Sequence, residues 1–176
     1  MDFAQVLADI VLFLDREQVR VALAGGVALH AHGLSRSTSD LDLVVEQRAQ
    51  PLLLQYLASR GYECLHVSTG FSNHLHADGR LGRLDFIYVD DRTAELLFDQ
   101  ATRMTLFAGT EILVPRPAHL AAMKIQAMKD DPARTLKELL DIRSLLQLPG
   151  VDEDEIRRYF ERHGLGARFA DLKRFP

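Results

Sequence analysis

A short apolar run, Val19–Ala24, ends on Gly25-Gly26, and after thirteen intervening residues the chain reads Asp40-Leu41-Asp42-Leu43. This pattern restricts the fold more than any other. The apolar run predicts a buried strand, and the glycine pair predicts a tight turn into a short helix over 27–32 that Gly33 stops. Glycine there lets a ligand come close to the backbone, and the free N–H groups at a helix start favour an anion. The polar segment 34–39 reads as a loop. DLDLVVE, residues 40–46, reads as a strand. Strand period two then puts Asp40 and Asp42 on one face, roughly 6.6 Å apart along the chain.

Two acids on one strand face repel each other unless a cation lies between them. Mg²⁺ is such a cation, and it prefers one or two carboxylates plus phosphate oxygens. A third acid would complete a two-metal arrangement. Asp85 in RLDFIYVD is the candidate, because it shares a largely apolar strand face with Ile87 and Val89 and so needs a partner or a metal. Each feature has a plainer alternative. The glycines could form only a turn, the Asp pair could lie on the surface, and Asp85 could be structural. Their order and spacing together favour one site for metal and nucleotide.

The rest of the chain supports a mixed architecture. Helical spacing is found over 3–16, 50–59 and 93–99, and strand patterns over 62–67, 72–77 and 83–89. A hairpin, 104–107 with 111–114, turns at Ala108-Gly109-Thr110. Beyond Pro115 and Pro117 the chain reads as helices at 118–129, 132–147, 152–163 and 167–174, with Asp131-Pro132 as a capped start. The expected class is α+β: a small mixed β-sheet with helices packed on it, then a C-terminal helical tail. The expected division is 1–116 and 117–176.

Composition excludes several classes. The 176 residues are 47% hydrophobic and 26% charged, which rules out wholesale disorder. A net charge of −4 gives no basic excess for non-specific nucleic-acid binding. The lone Cys64 cannot form an intrachain disulfide, which fits a reducing cytoplasm. The N-terminus carries Asp2, Asp9 and Asp15 where a signal peptide would be basic, and no uncharged apolar run of about 18 residues could span a membrane.

GGVALHAHGLSRSTSDLDL resembles the signature of the DNA polymerase β-like nucleotidyltransferase superfamily: two small residues, a spacer of about a dozen, Asp–hydrophobic–Asp, and a third acid on a later strand. Within it, the chain resembles the minimal nucleotidyltransferases and the abortive-infection nucleotidyltransferase toxins. The likeness covers residues 19–90 well and 115–146 more loosely. It implies transfer of a nucleoside monophosphate from NTP to an acceptor hydroxyl on RNA, a protein or a small molecule. Gly25 and Gly26 would hold the triphosphate, with Arg36, Ser37 and Thr38 near the phosphates. Asp40, Asp42 and Asp85 would bind two Mg²⁺, or Mn²⁺ instead, and Asp85 would also activate the acceptor. The toxin-like relatives imply a cognate antitoxin as partner.

Two tail residues join these candidates. Lys124 lies on an apolar helical face, and the resemblance places a lysine from such a helix at the nucleotide phosphates. The plainer reading is a lysine snorkelling at a helix edge. The resemblance also suggests an acidic residue near the site here, and Asp141 fits it; the plainer reading is a surface pair of Lys137 with Asp141. His74 and His76 point the same way from one strand, as zinc would require, but no third ligand stands at zinc spacing. His30 and His32 read as helix-surface or pocket-wall residues. Two rivals remain: a nucleotidyltransferase-fold module that acts by binding a partner protein, and a dinucleotide-binding oxidoreductase. The latter lacks G-x-G-x-x-G and the long crossover it needs.

Overall fold

A computed structural model of the chain describes residues 1–172. The end of the expected last helix, residues 173 and 174, lies outside the described residues. The described residues fall into two compact units, one over Met1–Pro115 and one that begins at Arg116.

The first unit is built on a seven-stranded mixed sheet. Its strands are β1 (Val21–Leu23), β2 (Asp40–Glu46), β3 (Tyr62–Val67), β4 (Phe71–His76), β5 (Arg83–Val89), β6 (Thr102–Leu106) and β7 (Thr110–Val114). Their order across the sheet is β3-β4-β5-β2-β1-β7-β6. β2 runs parallel to β5 and antiparallel to β1, and β1 runs parallel to β7. Central position explains composition. All three β1 residues are buried, and on β2 Leu41, Leu43, Val44 and Val45 have no exposed surface.

The helices of this unit are α1 (Phe3–Arg16), α2 (Gly25–Ala31), α3 (Gln50–Ser59) and α4 (Asp91–Asp99). Asp2 caps α1 by accepting from the Gln5 N–H at 3.1 Å, and Val6, Leu7, Ile10 and Leu14 make its buried stripe. Asp90 caps α4 through the Thr93 N–H. That cap starts the helix at Asp91, two residues before the first apolar spacing suggests. Likewise α2 begins at Gly25 itself rather than at Val27, because the Ala24 carbonyl already accepts from the Ala28 N–H.

The second unit is helical: α5 (Pro117–Asp130), a 3-10 turn at Pro132–Arg134, α6 (Thr135–Leu146), α7 (Glu153–Arg162) and α8 (Gly166–Leu172). The expected helix 132–147 thus splits into a 3-10 start and an α-helical body. Asp131 caps the turn through the Ala133 N–H, and Asp152 caps α7 through two backbone N–H groups. Leu120, Ile125, Leu139, Ile142, Ile156 and Phe160 form its core, with Phe160 and Phe169 rings 5.5 Å apart. No helix among the described residues is long and apolar enough to cross a membrane.

Candidate active site

Parallel pairing of β2 with β5 builds the site. Asp40 lies opposite Arg83, and Asp42 opposite Asp85. In a pleated sheet, directly paired residues share a face, so all four side chains stand together. One oxygen from each of Asp40, Asp42 and Asp85 lies within 4.8 Å of the others, and all three residues are half-buried. The donor set is three carboxylates and nothing softer, which suits a hard divalent cation such as Mg²⁺ or Mn²⁺. The opposite side of β5, Leu84, Phe86 and Tyr88, faces the core.

The glycine pair is packed against the carboxylates by backbone and side chain alike. The Ala24 N–H donates to the Asp42 carbonyl at 2.9 Å. Gly25 has φ +55°, and a Cβ there would overlap the Asp42 carboxyl group. A Cβ on Gly26 would come within 2.7 Å of Thr38 Cβ. From sequence, the glycines serve a ligand's approach to the backbone. In the structure their missing side chains also make room for Asp42 and Thr38. Thr38 Oγ1 in turn donates to Asp40 Oδ1 at 2.5 Å, which fixes that carboxylate. Arg36 is half-buried and Ser37 exposed in the same 34–39 loop.

Arg83 belongs to this cluster and sequence reasoning missed it. Its Nε donates to both oxygens of Asp85, at 2.9 and 3.1 Å. That hydrogen bond raises the guanidinium's pKa; burial opposes this, and the charges of Asp85, Asp40 and Asp42 add to it. The available signal was the R-x-D spacing at the start of β5, which puts both side chains on one face.

The histidines do other work. His74 is buried on the core face, where its Nε2 bonds Ser72 Oγ at 2.8 Å and Ser72 Oγ bonds the Tyr88 hydroxyl at 2.7 Å. Burial lowers the His74 pKa, against the pull of Asp85. His76 packs edge-on to Tyr62 and accepts from the Asp78 N–H. The two imidazoles thus bond different protein partners. His30 is exposed, and the half-buried His32 donates from Nε2 to the Pro115 carbonyl at 2.8 Å.

Lys124 and Asp141 meet each other inside the helical unit. Lys124 Nζ donates to Asp141 Oδ2 at 2.6 Å and to Glu138 Oε2 at 3.0 Å, and all three residues are buried. Arg134 adds bonds to the other Glu138 oxygen, at 2.6 and 3.0 Å. The plainer reading of each residue is corrected by this network. Lys124 is not a snorkelling lysine, because its ammonium ends on two buried carboxylates. Asp141 does not form a surface pair with Lys137, because it turns into the contact between α5 and α6 while Lys137 stays exposed.

A scan against models of known protein families found no match, and a search of curated proteins found none. Solved structures are similar across nearly the whole chain. The antibiotic-resistance factor ANT(2'')-Ia aligns with a TM-score of 0.68 at 16% identity, over 99% of this chain and 97% of its own. The chain has the nucleotidyltransferase fold. A nucleotidyltransferase-like protein from Paracoccidioides brasiliensis aligns at 0.56 and 19%, over 96% of this chain and 92% of its own. The lincosamide antibiotic adenylyltransferase LnuA aligns at 0.54 and 16%, over 82% of this chain and 96% of its own. The dinucleotide-binding alternative is thereby excluded as a fold.

Proposed function

We propose that the chain is a metal-dependent nucleotidyltransferase, which moves a nucleoside monophosphate from NTP to an acceptor hydroxyl. The observation that carries this is the cluster of Asp40, Asp42 and Asp85 on one face of β2 and β5, in a nucleotidyltransferase fold. Two divalent cations held by these carboxylates would neutralise the phosphates and lower the pKa of the acceptor hydroxyl. Asp85 takes the acceptor's proton. The acceptor oxygen bonds to the α-phosphorus, the α–β phosphoanhydride bond breaks, and pyrophosphate leaves with the electron pair. Gly25 and Gly26 give the triphosphate room beside Asp42, and the 34–39 loop supplies Arg36, Ser37 and Thr38 to its oxygens.

The similar structures favour a small hydroxylated acceptor. One is an adenylyltransferase of lincosamide antibiotics, and another, 12% identical with a TM-score of 0.61, holds adenylylated tobramycin. RNA and protein acceptors, and a toxin role with a cognate antitoxin, follow from the sequence resemblance. Each α-labelled NTP, incubated with Mg²⁺ and with lincomycin, tobramycin, total tRNA or cell lysate, tests the reading. Label should pass to one acceptor class with pyrophosphate release, and Asp42→Asn should slow this at least about 100-fold. Transfer by Asp42→Asn at the wild-type rate would refute it.

A further inference from the structure

We propose that Arg83 competes with divalent cations for Asp85, so that a cation entering the carboxylate cluster displaces the guanidinium. This rests on reading the cluster as a metal site. Arg83 Nε donates to both Asp85 oxygens, at 2.9 and 3.1 Å. Those are the atoms a cation would use. The register of β5 on β2 sets Arg83 opposite Asp40 and Asp85 opposite Asp42, so its positive charge lies within the same cluster. A guanidinium and a dication at one carboxylate repel each other, and three anionic oxygens favour the higher charge density. Arg83 also has somewhere to go. Its side chain is 45% exposed, whereas that of Asp85 is 17% exposed. A pair so close to solvent is held weakly enough to exchange. The long aliphatic stem lets the head move to water without disturbing the strand. Arg83 is thus a positioning residue: it holds the Asp85 carboxylate in orientation, and it sets the affinity threshold that a cation must exceed.

The test is Mn²⁺ binding to chelator-treated protein, measured by electron paramagnetic resonance with no nucleotide and no turnover. Arg83→Gln and Arg83→Met remove the competitor and should bind Mn²⁺ about threefold to tenfold more tightly than wild type. Arg83→Lys keeps the charge and should stay within about threefold of wild type. Far-UV circular dichroism checks that each variant is folded, and either neutral variant suffices if the other is not. Equal or weaker binding by the folded neutral variants would overturn the proposal, since Arg83 would then support Asp85 rather than compete for it. Wild-type Mn²⁺ binding that Asp42→Asn leaves unchanged would instead overturn the metal-site reading, and this proposal with it.

Discussion

At Gly25 the conformation of one residue decides whether the carboxylates can assemble. Its φ of +55° disfavours any side chain, and the space a Cβ would need is filled by Asp42. Gly25→Ala should therefore cost more than about 1 kcal/mol in a denaturant titration and abolish transfer, because Asp42 must move. Unchanged stability and activity would mean that Asp42 has freedom to rearrange. Asp42→Asn is expected to behave differently. It removes one of three clustered like charges, so melting temperature should hold or rise while transfer fails. A large fall in stability with transfer retained would make the cluster structural. At this scale the Gly-Gly and Asp-x-Asp spacing was legible, because both are local patterns. The contact between Gly25 and Asp42, and the bond from Arg83 to Asp85, were not. The contact at Gly25 is a packing consequence of the β1–α2 turn lying over β2. The Arg83–Asp85 bond is hidden in sequence, where R-x-D is an ordinary alternation of charged residues.

Among the elements, α5 and α6 meet around a buried cation, Lys124. Lys124 is buried with Glu138 and Asp141 around its ammonium. Lys124→Met preserves the helix and much of the packing but leaves two carboxylates facing each other. Breaking a buried ion pair from one side costs about 3–5 kcal/mol, and Arg134 still holds Glu138, so the lower end is expected. The change from wild type in urea unfolding measures it. A variant as stable as wild type would show that the Lys124 ion network contributes little to stability. The resemblance, which places Lys124 at the nucleotide phosphates, implies instead that this substitution weakens nucleotide binding. Helix periodicity correctly marked Lys124 as out of place on an apolar face. It could not name the partners, because Lys137 offered Asp141 a local i, i+4 pairing and Glu138 resembles any exposed helical acid. Strands 40–46, 62–67 and 83–89 and helix 50–59 coincide with the structure because turns or glycines bound them.

For the whole molecule, fold class was legible and strand order was not. Alternating strands and helices with a helical tail imply a mixed sheet. However, the pairings β2 with β5 and β1 with β7 join segments distant in sequence, and no local pattern encodes them. Stability against acid also operates at this scale. Burial, then the charge of Arg116, pushes the His119 pKa down to about 4, and Arg116 Nε donates to its Nε2 at 3.1 Å. An unfolded chain takes up this proton near pH 6.5, which the folded chain refuses until about 4. Stability should therefore rise with pH across that window, and acidification through it should cost at most about 3 kcal/mol. His119→Gln removes this contribution. The unfolding free energy of wild type relative to the variant should fall as the pH drops from 6.5 to 4 and stay level above pH 7. Parallel profiles would mean that His119 titrates normally.

The most direct measurement of the central claim is anomalous diffraction from crystals soaked with Mn²⁺ and an NTP analogue that cannot be cleaved between the α- and β-phosphates. Mn²⁺ peaks are expected within about 2.2 Å of carboxylate oxygens of Asp40, Asp42 and Asp85, shared with phosphate oxygens of the analogue. Bound analogue with no Mn²⁺ at these three carboxylates, or with Mn²⁺ held elsewhere, would contradict it.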